Sequence, residues 1–68
     1  MFKVTHTFHT PVVSEDMKNP LMGGAVHVDT LEDAMAFFAA KTIGRTTVPM
    51  TVAVFTPDGD LVTETVVS

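Results

Sequence analysis

The segment TLEDAMAFFAAKTIG, residues 30–44, predicts a helix, and the two faces of that helix decide how the chain folds. Thr30 is a good N-cap residue, and Asp33 three positions later completes a capping-box pattern. Asp29 with Glu32 is an alternative frame for the same box. In either frame the carboxylates of this stretch lie near the positive end of the helix dipole, where negative charge is stabilising.

The predicted helix spans about residues 31–43. Lys41 lies in its last turn, and Gly44 is a natural residue for the position just after a helix. A helical wheel places one stripe of side chains towards a sheet. The members of that stripe are Leu31, Met35, Phe38 and Thr42.

Phe37 and Phe38 are neighbours on the helix, about 100° apart, so their rings cannot both point at the centre of one core. Phe38 belongs to the stripe, whereas Phe37 falls roughly 120° away from it. Two interpretations of Phe37 are open. Either a loop over residues 14–24 covers the ring, with Leu21 or Met22 as its lid, or the ring is an exposed aromatic anchor for a partner.

Alternating and β-branched segments on both sides of the helix predict four strands. These strands are residues 2–10, 25–29, 50–55 and 61–67. Residues 14–24 are rich in breakers and predict a connecting loop, in which Gly23 and Gly24 lead into the second strand. We therefore predict a single domain, residues 1–68, of the α+β class: a ββαββ chain whose mainly antiparallel sheet carries the helix on one face.

The face of the sheet away from the helix is predicted to be broad and rich in threonine. Its members are Lys3, Thr5, Thr7, His9, His27, Thr51, Ala53 and Phe55. Such a face suits solvent, and it also suits contact with a protein. The last strand has two possible orientations, since either Val62 or Leu61 can begin the side that points at the helix. Only the orientation that begins with Leu61 leaves Glu64 comfortably exposed.

The composition excludes several classes of protein. Eight acidic residues against four scattered basic ones give a net charge of −4, so direct binding of nucleic acid is not expected. The chain has no cysteine, which excludes disulfides, thiol nucleophiles and Cys-ligated zinc. The longest apolar run covers residues 34–40, whereas a bilayer span takes about 20 residues. We expect a soluble, cytoplasmic protein that does not enter a membrane.

Metal and enzyme chemistry have weak support in the sequence. His9 and His27 can be cross-strand neighbours with Asp29 nearby, a set that suits zinc, but their spacing matches no metal motif. His6 is expected at the edge of the core, donating a hydrogen bond to a backbone carbonyl. The only serines, Ser14 and the terminal residue 68, lie in no nucleophile motif, and no tyrosine exists. We predict no enzyme activity, no cofactor and no metal.

The segment VHVDTLEDAMAFFAAKTIG, residues 26–44, resembles small phage proteins that disable host machinery. It is similar to the coliphage inhibitor of bacterial RNA polymerase, which shares a strand, a Thr-Leu-acid-acid-Ala helix start, an amphipathic helix and a following strand. Small anti-CRISPR proteins of ββαββ layout also look similar. The resemblance covers residues 25–55 and implies a non-enzymatic protein that works by binding and blocking.

The sequence therefore predicts a small acidic protein–protein interaction module, of the phage-encoded kind, that binds and inhibits a host protein complex. The predicted contact residues are Phe37, Phe55, His9, His27, Asp29, Glu32 and Asp33. If the target handles nucleic acid, the acidic helix start can meet a basic groove. The alternative is a structural subunit that associates with itself, for instance as a homodimer through the last strand, whose edge can pair with another chain.

Overall fold

The computed structural model describes residues 1–12, 21–43 and 48–68, and it confirms the ββαββ order. The elements are β1 (Phe2–Val12), β2 (Leu21–Val28), α1 (Leu31–Thr42), β3 (Met50–Phe55) and β4 (Leu61–Val67). The four strands form one antiparallel sheet in the order β2-β1-β3-β4, with α1 packed against it. The helix connects one outer strand to an inner one, so the two hairpins share a single sheet.

The core lies between α1 and the two central strands. Val4 of β1 pairs directly with Val54 of β3, and both are fully buried together with Val52 and Ala34. Partly buried side chains border this cluster, namely Phe2, Val28, Phe38 and Met50. The residues of β1 that alternate towards the helix meet equivalent residues of β3, since antiparallel partners share a face of the sheet.

The helix begins as the sequence predicts. Thr30 has an extended backbone, and its Oγ1 accepts a hydrogen bond from the Asp33 N–H at 3.1 Å, so the capping frame that starts at Thr30 is formed. The helix ends at Thr42, and Gly44 lies outside the described residues. No helix within the described residues is long and apolar enough to span a bilayer.

The predicted inward stripe of the helix is partly wrong. Ala34 is completely buried and Phe38 is half-buried, whereas Leu31 and Met35 are 43% and 37% exposed. The small methyl group of Ala34 lets the helix backbone approach the valines of the sheet closely, which turns the inward direction towards Ala34 and Phe38. Leu31 and Met35 consequently lie on one flank of the helix.

The second strand begins earlier than predicted. Leu21, Met22, Gly23 and Gly24 belong to β2, not to a loop, while residues 13–20 of the predicted loop lie outside the described residues. The register between β1 and β2 shifts between Thr7 and Val12, and Gly23 there has φ +152°. The two glycines thus permit a local irregularity inside a strand.

The last strand, β4, points Thr63, Thr65 and Val67 towards the helix side of the sheet. Thr63, Thr65 and Val67 pair with the helix-facing residues of β3, and Glu64 is exposed on the opposite face. Leu61 is exposed as well, because the register shifts between Val54 and Phe55 at the start of the strand. Of the two orientations left open by the sequence, the strand from Thr63 to Val67 adopts the one that exposes Glu64, but Leu61 does not point at the helix.

Candidate partner-binding surface

The outward side of α1 is apolar, which is unusual for a helix on a protein surface. We call this side the outer helix face; it consists of Ala36, Ala39 and Ala40, with Phe37 at its border and Ile43 just beyond the last residue of α1, all of them exposed. Ile43 is 79% exposed and Phe37 is 43% exposed. A helix packed on one side ordinarily carries charged residues on the other. Between Asp33 and Lys41 this helix carries none, so water meets only apolar surface there.

The structure leaves Phe37 exposed, in agreement with the second of the two interpretations of its ring. The residue retains 43% of its accessible surface, so the side chain is open to solvent. Met22, one of the two residues expected to cover it, is itself exposed. The side chain of Leu21 and residues 14–20 lie outside the part of the chain that the structure describes.

Three exposed carboxylates border the outer helix face at its N-terminal end. They belong to Asp29, Glu32 and Asp33, the last two in the first turn of α1. Lys41, the basic residue of the last turn, lies at the other end of the helix and contacts His6. The helix surface therefore combines an apolar middle with a negatively charged N-terminal end, so its charge is distributed unevenly along its length.

The other predicted contact residues lie on the opposite side of the sheet. Lys3 pairs with His27 of β2 on one side and with Phe55 of β3 on the other. Its Nζ lies 5.2 Å from the centroid of the Phe55 ring, a cation–π contact. These three side chains line a concavity of about 220 Å³, which the turn between β3 and β4 closes at one end. The sequence alone does not identify Lys3 as a member of this group. Its contacts with His27 and Phe55 arise because β1 lies between β2 and β3 in the sheet.

His9 is separated from this concavity. Its Nε2 lies 2.8 Å from Thr51 Oγ1, near the other end of the same face. His9 lies six positions after Lys3, the partner of His27, along β1, a span of about 20 Å. The two histidines are therefore not cross-strand neighbours, and that condition for a zinc site is not met. Within the described residues, no group of three metal-binding side chains occurs.

The predicted contact set thus divides between two faces. Phe37 and the acidic helix start lie on the helix side of the sheet, whereas Phe55, His27 and His9 lie on the open side. One flat partner surface cannot touch both sides of a sheet at once. The helix side places exposed apolar side chains directly beside three carboxylates, and it is the stronger candidate for a binding surface.

His6 lies partly buried, as expected for the edge of the core, but its hydrogen bond is to Lys41 and not to a backbone carbonyl. Its ring is half-buried on the helix side of β1 and packs edge-on against Phe8, with the ring centroids 5.5 Å apart. Lys41 Nζ lies 3.4 Å from His6 Nδ1. Since an ammonium group can only donate, Nδ1 is the acceptor and the ring is the neutral tautomer with its proton on Nε2. The imidazole therefore accepts from α1 and does not donate to a backbone carbonyl through Nδ1.

The surroundings of the His6 ring predict that the stability of the protein depends on pH. Burial, and secondarily the positive charge of Lys41, lower the pKa of His6 below its usual 6.5. The unfolded chain then binds more protons than the folded one as pH falls through 6.5, so the free energy of unfolding decreases. We expect His6→Gln to reduce this acid loss, as measured by thermal unfolding between about pH 7.5 and pH 5.

An NMR titration of Lys41→Met separates the two causes. The pKa of His6 is expected to rise part of the way towards 6.5 and to remain below it, because burial is the larger cause. A pKa that does not move in this variant would show that Lys41 exerts no effect on the ring. Identical acid profiles of the wild type and His6→Gln would remove His6 from the account of pH dependence.

Comparison of the chain with protein-family models, with curated proteins and with solved structures finds no match.

Proposed function

We propose that this protein is a small non-enzymatic interaction module that binds a partner protein complex through α1 and thereby blocks it. The partner is a host complex that handles nucleic acid, and the protein acts as a phage-encoded inhibitor in the cytoplasm of the host bacterium. The resemblance of residues 25–55 to phage inhibitors supports the biological setting. The exposure of the outer helix face supports the mode of action.

One observation carries the proposal: beyond its acidic first turn, the outer helix face is apolar while remaining open to solvent. Contiguous exposed apolar surface on a small domain is typical of interaction sites. Phe37 is the aromatic ring at its border, flanked by alanines that leave the ring approachable. Aromatic anchors surrounded by weakly contributing neighbours are the usual source of binding energy in protein interfaces.

The charges at the helix start define the chemistry of the partner. Asp29, Glu32 and Asp33 are exposed and lie beside the apolar surface, so a groove with an apolar floor and basic residues at one end is complementary. Proteins that hold nucleic acid present basic grooves of this kind. Occupation of such a groove by α1 would exclude the nucleic acid by competition for the same positive charge.

The proposal is tested by capture of the partner from bacterial lysate, followed by titration calorimetry with the purified partner. Phe37→Ala is expected to weaken binding about 30-fold, as a loss of about 2 kcal/mol at an interface hot spot implies. The triple variant Asp29→Asn, Glu32→Gln, Asp33→Asn is expected to bind more weakly at low salt and to lose most of its salt dependence. Neutral replacements preserve the side-chain shapes.

A matched control is Leu61→Ala, which truncates an exposed apolar side chain on β4, away from α1. This variant should bind like the wild type. Full affinity of both Phe37→Ala and the triple variant would refute binding through α1. A captured partner that neither carries a basic groove nor loses nucleic acid in the complex would refute inhibition by competition.

A further inference from the structure

The outer edge of β4 is a free strand edge within the described residues. β4 pairs with β3 on one side only, as the last strand in the order β2-β1-β3-β4. Three of its apolar side chains are exposed, namely Leu61, Val62 and Val66. Edge strands of soluble proteins are commonly protected by lysine, proline or irregular geometry. From Thr63 to Val67, β4 has neither lysine nor proline, its one charged side chain is Glu64, and it pairs with β3 in unbroken register.

The other edge of the sheet is different. β2 contains Gly23 at φ +152°, and its register with β1 shifts between Thr7 and Val12. Both features disturb the regular spacing of backbone groups that an added strand needs. A further strand therefore fits the edge of β4 better than the edge of β2.

We propose that β4 pairs with β4 of a second copy of this chain, antiparallel and centred on Thr65, so that two sheets join into one of eight strands. A two-fold axis perpendicular to the sheet keeps helix-facing residues opposite helix-facing residues. Thr63 then lies opposite the second copy's Val67, Thr65 opposite Thr65, and Glu64 opposite Val66.

The register follows from charge and from the local geometry of β4. Centring the pair on Glu64 would place two carboxylates directly opposite each other, which is destabilising in a sheet. Centring it closer to Leu61 would bring the register shift at the start of β4 into the interface. Centring it on Thr65 avoids both and uses the regular part of the strand.

The surroundings of the edge agree with this arrangement. A concavity of about 260 Å³ lies beside β4, lined by Thr42 at the end of α1 and by Thr65, Val66, Val67 and Ser68. An added strand would close its open side. Both outer helix faces remain accessible in such a dimer, so self-association and the proposed binding through α1 are independent.

The test is sedimentation equilibrium of the full chain from about 10 μM to 1 mM, a range that detects dissociation constants up to the millimolar region. Val66 is 59% exposed, so its substitution leaves the core intact. Val66→Glu places Glu opposite Glu64 twice and should raise the dissociation constant about tenfold. Val66→Lys, a matched change of size and polarity, places Lys opposite Glu64 and should not weaken the dimer.

The charge swap Glu64→Lys with Val66→Glu is expected to restore association, because each pair again joins opposite charges. A wild type that is monomeric throughout this range would overturn the proposal. That holds even if β4 is then found to pair with a strand of another protein. Equal effects of Val66→Glu and Val66→Lys would overturn the register, as would stronger association of Glu64→Gln alone. Thermal unfolding of each variant at low concentration verifies that the monomer is folded.

Discussion

Gly23→Ala is expected to destabilise the domain severely. A side chain at position 23 would have to adopt φ +152°, a conformation that L-residues rarely take, at a cost of about 1–3 kcal/mol. Its Cβ would also overlap the backbone carbonyl oxygen of His6. A backbone atom of the central strand cannot move aside as a flexible side chain can. Because a chain of this length is stabilised by roughly 3–10 kcal/mol in total, much of the population should unfold.

Urea denaturation followed by circular dichroism measures this effect, and two glycine controls separate its causes. Gly59 has φ +92° and open space around its Cβ position, so Gly59→Ala carries the conformational strain without the overlap. At Gly24 a Cβ would lie 2.9 Å from Cε1 of the His6 ring, which is a side chain that can shift. We expect Gly23→Ala to be the most destabilising of the three. An effect no larger than that of Gly59→Ala would contradict the close approach of β2 to His6.

The sequence predicts the order of elements because local patterns determine each of them. The alternation in β1 and the N-cap at Thr30 both reflect short-range geometry, and the structure confirms both. Gly23 and Gly24 show the limit of this approach. A pair of glycines is typical of turns, but here it lies inside β2, where Gly23 takes a positive φ beside the irregular pairing with β1. Such a bulge depends on the partner strand and leaves no separate mark in the sequence.

The inward direction of α1 shows a second limit. A helical wheel gives weight to large apolar residues, and it therefore selects Leu31 and Met35. The structure instead buries Ala34, whose small methyl group joins the same closely packed cluster as Val4 and Val54. Steric fit between two elements is a tertiary property, and hydrophobicity alone cannot specify it.

The candidate site was predictable residue by residue but not as an assembly. Phe37 and the acidic helix start are close in sequence, so their common placement on α1 follows from the helix itself. The grouping of Phe55 with His27 depends on the strand order, in which β1 separates β2 from β3 and presents Lys3 to both. The split of the predicted contacts between two faces is a consequence of that same topology.

Val54→Ala is expected to cost about 2–3 kcal/mol of the free energy of unfolding. Val54 is fully buried in β3, lies directly opposite Val4 and belongs to the cluster under α1. The change removes two buried carbon groups, each worth about 0.8 kcal/mol, and it leaves a cavity that the two central strands cannot close by small shifts. The loss approaches the whole stability of a weakly stable domain of this length, roughly 3 kcal/mol at the lower limit.

The control for Val54→Ala is Val62→Ala, the same truncation at an exposed position of β4. Urea midpoints of the two variants should differ clearly, with Val62→Ala close to the wild type, since its side chain is already hydrated in the folded state. Equal small losses in both variants would mean that the central strands do not hold the core. A dry, closely packed valine layer beneath Ala34 and Phe38 requires the large difference.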